Sequence, residues 1–355
     1  MFCKTGCKDM NSMIRKKILA GISILASFPL FAADYVPLVS NQQAEKEIKA
    51  FAQDMAKKHQ FDQKQIFEKL SSMQPRQDII ERISKPAESM PWHRYRKIWM
   101  KDKRINDGVA FWQQHAETLA KAEAVYGVEQ SIIVGIIGVE TFYGRIQGTF
   151  PVIEALHTLG FYYPKRSKFF RSELEQYYLL ANEQKWELDE INGSYAGAMG
   201  MGQFISSSYR HYGVDFNQDG KINLFSDPVD MIGSVANYFS RHKWRKGGFV
   251  VQPVVLQDNQ KSLVQSQLAL SHSLNKFESA GINLDQVKGK SDKVGIFPFE
   301  LTDGSNEHWL AGDNFYVITR YNRSSMYALA VFQLSQAISE KKNALQKSEA
   351  QLLSE

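Results

Sequence analysis

The sequence predicts a mainly α-helical protein with a small inserted antiparallel β-rich module, an α+β arrangement. Apolar residues recur at helical spacing between residues 40 and 90, and residues 105–245 continue as helix-forming segments separated by glycine-rich turns. The run FVVQPVV at residues 249–255 is rich in β-branched residues, and short candidate strands continue to about residue 312. Helical periodicity returns at residues 326–339, so the β-rich segment is an insertion near the end of a helical core.

The distribution of charge argues against nucleic acid as a partner. The chain has 355 residues, enough for one large domain with an insertion or for two to three smaller domains. Its net charge is +5, but the first 33 residues contain five Lys or Arg and one Asp, and so account for +4. The remaining chain, with a net charge of about +1, shows no basic face of the kind that nucleic-acid binding requires.

Residues 1–33 have the pattern of a cleavable export signal. The basic cluster RKK at residues 15–17 precedes an apolar stretch at residues 18–31, which is too short to span a bilayer comfortably. The small residues AA at 32–33 supply a cleavage point. Met13 lies two residues before the basic cluster, so translation is expected to start at either Met1 or Met13.

Both cysteines, Cys3 and Cys7, precede this apolar stretch. The mature chain would therefore contain no thiol, no disulfide and no cysteine at the cleavage site for lipid attachment. No later segment approaches transmembrane length. We expect an exported, periplasmic and monomeric protein with no transmembrane segment after signal cleavage.

The mature chain divides into five predicted parts, which differ in composition and in the periodicity of their apolar residues. An N-terminal helical part is followed by a helical core with a calcium-type loop, a β-rich module, a return to the core and a charged tail. Their predicted bounds are residues 34–95, 96–246, 247–312, 313–340 and 341–355, respectively.

A single carboxyl at the end of an apolar run is the first candidate catalytic group. The run IIVGIIGVETFYG at residues 132–144 is apolar on every side, which is typical of a helix buried all round. Glu140 lies seven residues after Ile133 and four after Ile136, on the same stripe of that helix. Burial disfavours a charged carboxylate, which is how a carboxyl retains its proton near neutral pH. The run alone is also compatible with a charged residue that merely ends an apolar segment.

A second segment, DFNQDGKINL at residues 215–224, matches the opening of a calcium-binding loop. Oxygen-bearing side chains occupy positions 1, 3 and 5, glycine occupies position 6, and position 7 offers its carbonyl. These ligand positions are Asp215, Asn217, Asp219 and Lys221. Position 12 is serine, and Asp230, in the first turn of a helix capped by Asp227, is the expected replacement, with Asp227 itself as the other candidate. An Asx-rich turn without metal is the alternative.

The third segment is GSYAGAMGMGQF at residues 193–204. Its glycines would let the backbone approach a ligand closely, and Ser194 and Gln203 are neutral hydrogen-bonding groups beside them. Plain tight packing explains the same pattern. The aromatic- and arginine-rich stretch at residues 92–99 also has two interpretations, a half-exposed structural helix end or a wall that faces carbohydrate.

Together these segments resemble the membrane-bound lytic murein transglycosylase B family over residues 85–334. The markers are VGIIGVET at 134–141, residues 193–204, the 215–224 loop with DPVD at 227–230, GSVANYF at 233–239 and ITRYN at 318–322. The resemblance implies a lysozyme-like helical core, flanking helical and small β parts, and one calcium-type loop. It also implies cleavage of the MurNAc–GlcNAc β-1,4 bond of peptidoglycan glycan strands without water, which leaves a 1,6-anhydro ring on the muramic acid.

By this resemblance, Glu140 is the catalytic acid/base, and the substrate groove is lined at positions that match the family's motifs. Those positions are Tyr95, Arg166, Ser194, Met199, Gln203, Tyr238, Tyr321, Asn322 and Tyr327. The chain departs from the family at Phe142-Tyr143, where relatives often carry Arg-Trp, and at Met201, where an aromatic residue is usual. Its calcium-type loop is one residue longer before Asp227. One structural calcium ion and no catalytic cofactor are implied.

The implied reaction needs only one special carboxyl. A water-using glycosidase normally has two carboxylates around the bond, whereas here the attacking group is the C6 hydroxyl of the substrate itself. The first alternative is a water-using muramidase, which requires a second carboxylate near Glu140. The first three carboxyls that follow it in sequence, Glu154, Glu173 and Glu175, are expected to lack a comparably apolar setting. The second is a non-catalytic, calcium-stabilised peptidoglycan-binding protein, which would be expected to have lost the carboxyl.

Overall fold

A computed structural model describes residues 39–85, 90–270 and 272–352 of the chain. The predicted export signal at residues 1–33 lies outside the described residues. Within them, helices dominate and the strands form small antiparallel sheets. The prediction of a mainly α-helical protein with a small antiparallel β part is therefore confirmed.

Fourteen α-helices lie in the described residues. In chain order they are α1 (Asn41–His59), α2 (Gln63–Ser72), α3 (Gln77–Ile83), α4 (Trp92–Trp99), α5 (Asp102–Gln114), α6 (Ala116–Tyr126), α7 (Gln130–Thr141), α8 (Val152–His157), α9 (Ser167–Gln184), α10 (Ser206–Tyr212), α11 (Pro228–Arg241), α12 (Leu274–Ser279), α13 (Asp313–Tyr321) and α14 (Ser325–Leu352). Helix α8 continues as a π-helical segment, Thr158–Tyr162, and a 3₁₀ helix spans Asp258–Leu263.

The first two helices begin at side chains that cap them. The hydroxyl oxygen of Ser40 accepts a hydrogen bond from the backbone amide of Gln43 at 3.3 Å. The Asp62 carboxylate caps α2 in the same way through the amide of Gln65 at 3.0 Å. Each cap satisfies a backbone donor that has no partner inside its helix.

Helix α7 is buried on all sides, and α14 packs along it. A Cβ added at Gly135 would stand 3.1 Å from both the carbonyl oxygen of Val331 and the Cβ of Ser335, so glycine permits the close approach of α14 at this point. Residues 132–139 are all buried. No single helix in the described residues is long and apolar enough to cross a membrane; α6 and α7 meet that criterion only as a pair bent by 114°.

The larger sheet has four antiparallel strands in the order β3-β6-β5-β4, and β1 pairs with β2 in the helical part. The strands are β1 (Phe150–Pro151), β2 (Asn192–Gly193), β3 (Val251–Val254), β4 (His272–Ser273), β5 (Lys293–Glu300) and β6 (Asn306–Ala311). Ile296 and Leu310 belong to a small apolar cluster of the β-rich part, whereas Phe297 and Phe299 belong to the main helical core. Strand β5 is buried at most positions because both of its faces are covered.

The charged tail predicted for residues 341–355 continues α14 without a break as far as Leu352. Its sequence is rich in Ala, Leu, Lys, Glu and Gln, which all have high helix propensity. The ammonium group of Lys342 lies 4.9 Å from the centre of the Trp112 ring, which attaches the start of the tail to α5.

Candidate active site

Glu140 stands in the last turn of α7, where the helix leaves the core. The residues after Thr141, Phe142 (φ 53°) and Tyr143 (φ 60°), adopt the left-handed conformation that ends the helix. The predicted all-round burial holds for residues 132–139, and Glu140 itself is half-buried. The helix therefore presents one carboxyl at the edge of an otherwise apolar core.

Tyr327, in the first turn of α14, is a hydrogen-bond partner of this carboxyl. Its hydroxyl donates a hydrogen bond of 2.5 Å to Oε1 of Glu140. Tyr327 is 2% exposed. Burial and the adjacent carboxylate charge raise the pKa of Tyr327 well above its ordinary value, so the phenol remains a protonated donor. The tyrosine fixes the orientation of the carboxyl from the core side.

Tyr321, at the end of α13, is the second tyrosine beside this carboxyl. Burial and the charge of Glu140 raise the pKa of Tyr321 well above its usual range. Its hydroxyl donates to the carbonyl oxygen of Gly202 at 2.6 Å, and its ring meets that of Tyr238 edge-on at 4.8 Å. The Tyr238 hydroxyl in turn donates to the Arg320 carbonyl at 2.5 Å. These contacts connect α11, α13 and the glycine-rich segment around one acid.

The glycine-rich segment 193–204 is a tightly hydrogen-bonded loop. The Ser194 hydroxyl oxygen accepts from the amides of Ala196 and Ala198 at 3.3 and 3.1 Å. The Gln203 side-chain amide donates to the carbonyl oxygens of Gln147 and Gly200 at 3.0 and 3.1 Å. Both predicted polar residues therefore hold the shape of the loop.

Thr141 connects this loop to the end of α7, a role that the sequence analysis missed. Its buried hydroxyl donates to the Met201 carbonyl at 2.6 Å and accepts from the Gly144 amide at 2.9 Å. Thr141 belongs to the VGIIGVET motif at residues 134–141, but nothing in the sequence indicated that it bonds to Met201, 60 positions away.

An open groove of about 1100 Å³ lies beside Tyr321. It is bounded by the end of α13, the start of α14, the region before and at the start of α9, the glycine-rich loop and one edge of the β-rich part. Arg166, Tyr321 and Asn322, three of the predicted substrate-binding residues, line it. Tyr321 connects the groove with Glu140. It lines the groove, and it lies close enough to Glu140 for the carboxylate charge to raise the pKa of its phenol.

Other predicted substrate-binding residues lie deeper. Met199 is fully buried, and Tyr95 is 1% exposed with its ring 5.6 Å from that of Trp99. Tyr95 also lies close enough to Tyr327 to raise the pKa of that phenol. For the stretch at 92–99, burial of Trp92 and its hydrogen bond to Glu307 at 2.8 Å favour the structural interpretation.

The expectation that no other nearby carboxyl has an apolar setting was wrong for Glu173. It is 4% exposed, and burial raises the pKa of this carboxyl. The backbone amide and hydroxyl of Ser207 donate to it at 2.9 and 2.8 Å, so Glu173 caps the start of α10. Glu154 and Glu175 each contact a basic side chain. None of these three carboxyls lines the groove in the described part of the chain.

Two of the departures from the family's motifs, at Phe142 and Met201, have structural partners. The Phe142 ring lies below the guanidinium groups of Arg104 and Arg145, at 4.6 and 4.9 Å from its centre. The Met201 side chain fills the space that a Cβ at Gly144 would occupy, with Sδ 2.9 Å away. Both residues pack around the end of α7.

The loop at 215–224 turns as its motif predicts. Asp215 accepts hydrogen bonds from the amides of Asp219 and Gly220, at 3.0 and 2.7 Å. Asn217 and Asp219 accept from amides two residues further on. Gly220 has φ 88°, the conformation that position 6 of such loops requires. These Asx turns arrange oxygens on alternate positions, although no three His, Cys, Asp or Glu side chains of the described chain gather as a ready-made metal cluster.

Asp227 and Asp230 support the loop from α11 in different ways. Asp227 is the N-cap of α11 and precedes proline, as predicted, and it also accepts from the Asn217 side-chain amide at 2.7 Å. Asp230 is fully buried and accepts from the amides of Phe216 and Asn223 at 2.9 and 2.8 Å. Burial raises the pKa of Asp230. Carboxylate oxygens at 215, 219 and 227, an amide oxygen at 217 and the carbonyl at 221 are the hard donors that calcium prefers.

Comparison with known proteins agrees with this architecture. The E. coli (strain K12) membrane-bound lytic murein transglycosylase B is 40% identical over 298 residues, which cover 81% of each chain. The catenated lytic transglycosylase SltB1 of Pseudomonas aeruginosa superimposes with a TM-score of 0.77 at 44% identity, covering 83% of this chain and 98% of that one. The E. coli lytic transglycosylase Slt35 in complex with calcium gives 0.74 at 39%, covering 84% and 93%.

These similarities confirm the predicted resemblance and the lysozyme-like character of the helical core. The match to the family profile extends over residues 43–336, which include the helical core, the calcium-type loop and the β-rich part. The match covers most of the chain, and the chain therefore belongs to the family defined by the transglycosylase SLT domain.

Proposed function

We propose that this protein is a lytic peptidoglycan transglycosylase that cleaves the MurNAc–GlcNAc β-1,4 bond without water and forms a 1,6-anhydro ring on the muramic acid. The observation that carries the proposal is the single carboxyl of Glu140 at the end of α7, oriented by Tyr327 beside the groove. The family membership and the names of its relatives support the same substrate.

Glu140 would act first as an acid and then as a base. It protonates the glycosidic oxygen as the bond to the muramic acid C1 breaks. The resulting carboxylate takes the proton from the C6 hydroxyl as that oxygen attacks C1 from the same sugar. One carboxyl serves both steps because donating the first proton creates the base. The tethered hydroxyl has an entropic advantage over free water.

Tyr327 supports the middle of this cycle. Its protonated phenol donates to Oε1 of Glu140, and a hydrogen bond to a charged acceptor is stronger than one to a neutral acceptor. The bond therefore stabilises the carboxylate that exists between the two proton transfers. It also fixes the orientation of the carboxyl, because Oε1 is held against a buried phenol.

The first three carboxyls that follow Glu140 in the described chain are each engaged elsewhere. Glu173 accepts hydrogen bonds from Ser207, Glu154 pairs with Arg76, and Glu175 contacts His59. A hydrolase needs a carboxylate to position water or to serve as a nucleophile. We therefore favour the intramolecular attack over hydrolysis.

Digestion of purified sacculi in ¹⁸O-labelled water distinguishes the two reactions. Transglycosylation yields label-free anhydro ends, and Glu140→Gln should abolish them, since an amide keeps the shape but cannot transfer protons. A general acid–base group contributes about 10²–10⁴-fold to the rate. Reducing ends that carry ¹⁸O beyond ordinary exchange would establish a hydrolase. Unchanged cleavage by Glu140→Gln would mean that the acid is another residue.

We further propose that the loop at 215–224 holds one structural calcium ion. Asp215, Asn217 and Asp219 would supply side-chain oxygens, Lys221 its carbonyl, and Asp230 or Asp227 the closing ligand from α11. The calcium in the relative's structure supports this assignment. An ion here would neutralise adjacent carboxylates and hold the loop against α11, away from the reacting bond.

The proposed substrate also agrees with the predicted localisation. Peptidoglycan lies outside the cytoplasmic membrane, so the enzyme must be exported to reach it. The predicted signal in residues 1–33 would provide that export, and those residues lie outside the described part of the chain.

A further inference from the structure

The groove lined by Tyr321 carries charge of one sign. Among the described residues that line it, three are arginines, Arg166, Arg320 and Arg323, and none is Asp or Glu. All three are exposed, and none forms an ion pair with a carboxylate of the described chain. A concave surface with unneutralised cations attracts anions from solution.

Two helix N-termini add to this potential. Helix α9 begins directly after Arg166, without a side-chain cap, and α14 begins at Ser325, with residues 324–326 in the groove wall. These helices have 18 and 28 residues. Each N-terminus carries the equivalent of about half a positive charge. Arginines and helix ends from separate parts of the chain thus converge on one groove.

A smaller pocket of about 330 Å³ adjoins the groove. One wall is the segment 267–269 of the β-rich part and the other is the last turns of α13, with Tyr316 and Thr319. Arg320 and Arg323 line both the groove and this pocket, so the two cations stand at the passage between them. The described lining of the side pocket contains no carboxylate either.

Ordinary structural roles explain only part of this arrangement. Arg320 lies in the last turn of α13, where a cation is stabilised by the helix dipole, and Arg323 is solvated in the turn that follows. Arg166 lies over the Phe169 ring at 4.3 Å, a cation–π contact within its own segment that holds it beside the groove. None of these roles explains why acidic residues are absent from both described linings.

We infer that the side pocket binds free carboxylates of the peptide stem carried by the muramic acid, an inference that rests on the proposed function. The glycan chain itself offers neutral hydroxyl and acetamide groups, whereas the stem carries the anionic groups of the strand. Guanidinium groups suit carboxylates because they offer paired donors in one plane. The pocket volume lies at the lower end of the range for small-ligand sites, which suits part of a short peptide.

The test compares two substrates from one preparation, glycan strands whose stem peptides have free carboxylates and the same strands after those carboxylates have been converted to amides with ammonia. The kcat/KM for formation of anhydro ends is measured on each, and their ratio reports recognition of the stem carboxylates. The wild-type ratio should favour the strand with free carboxylates and fall as salt screens the exposed arginines. Arg320→Gln and Arg323→Gln should each lower the ratio by about three- to tenfold.

Arg241→Gln is the matched control, since Arg241 is an exposed arginine in the last turn of α11 that lines neither cavity. It should leave the ratio unchanged. Arg323→Gln, in an exposed turn, keeps the test valid if Arg320→Gln folds poorly. A ratio near one in the wild type, or one that both variants leave unchanged, overturns the inference while the lytic activity stands. Failure to form anhydro ends from either substrate overturns the proposed function and this inference with it.

Discussion

The hydroxyl of Tyr327 and the carboxyl of Glu140 form a 2.5 Å hydrogen bond between residues 187 positions apart. It joins the first turn of α14 to the last turn of α7, the helix that carries the proposed acid/base. Gly135 allows α14 to approach α7, since a Cβ there would press on the Val331 carbonyl. Packing of the two helices thus places the Tyr327 hydroxyl where it can donate a hydrogen bond to the charged form of Glu140.

Tyr327→Phe should therefore reduce kcat while KM changes little. The variant keeps the ring in the core but removes a hydrogen bond to a charged group, worth about 1.5–3 kcal/mol. We expect roughly a 10- to 100-fold loss in kcat, measured as anhydro ends released per enzyme. Tyr126→Phe, at a half-buried tyrosine in α6, is the control and should retain wild-type turnover. Equal kcat in both variants would remove Tyr327 from the mechanism.

Calcium should stabilise the fold without taking part in bond cleavage. An ion that binds only the folded state raises the melting temperature by mass action. Calorimetry with chelator and then with calcium should show this rise, and Asp219→Ala should abolish it. Asp285→Ala, an acidic residue of the β-rich part, should retain it. If calcium does not change the melting temperature of the wild type, the loop is an Asx-rich turn only.

The buried Glu173 should make stability depend on pH. Because burial raises its pKa in the folded state, the folded protein binds its proton more tightly than the unfolded chain. Its contribution to stability is thus greatest below the unfolded pKa and is lost as pH rises through the folded pKa. Glu173→Gln removes this titration while its amide can still bond to Ser207.

Urea unfolding of both proteins at about pH 4 and about pH 7 measures the effect. The wild type should lose stability relative to Glu173→Gln between those values, because its carboxyl must ionise in an apolar site. If the free energy of unfolding changes equally for the wild type and Glu173→Gln between these two pH values, the raised pKa of Glu173 is contradicted. Anhydro ends should still form with Glu173→Gln, whereas their loss would revive the hypothesis of a second catalytic carboxyl.

Gly200→Ala should destabilise the protein more than a glycine substitution at an open turn. Gly200 has φ 68°, and an added Cβ would stand 2.4 Å from the Leu224 carbonyl oxygen. Left-handed strain costs about 1–2 kcal/mol, and overpacking against backbone adds about 1–3 kcal/mol. Gly304, with φ 79° and open space around it, is the matched control and should show the strain alone. Equal denaturation midpoints for the two variants would contradict the close contact.

The sequence by itself determined the features that depend on a few neighbouring residues. The unbroken apolar run predicted that residues 132–139 are buried, Asp227 followed by proline predicted the start of α11, and the β-branched run at 249–255 predicted where the strands begin. Periodicity, helix capping and β-propensity act over one or two turns, so they can be read without the rest of the chain. The resemblance to the family extended these predictions to the lysozyme-like core.

Only the tertiary structure decided which distant groups meet. Three such meetings depend on how the helices cross. Glu140 pairs with Tyr327, Glu173 is buried and binds Ser207, and Arg320 and Arg323 stand together between the groove and the side pocket. A carboxyl in a helix looks the same in sequence whether it faces solvent or the start of another helix. The surroundings of the carboxyl depend on packing between helices that are remote in the chain. Side chains and backbone carbonyls are close-packed there, and they determine how closely two helices can approach each other.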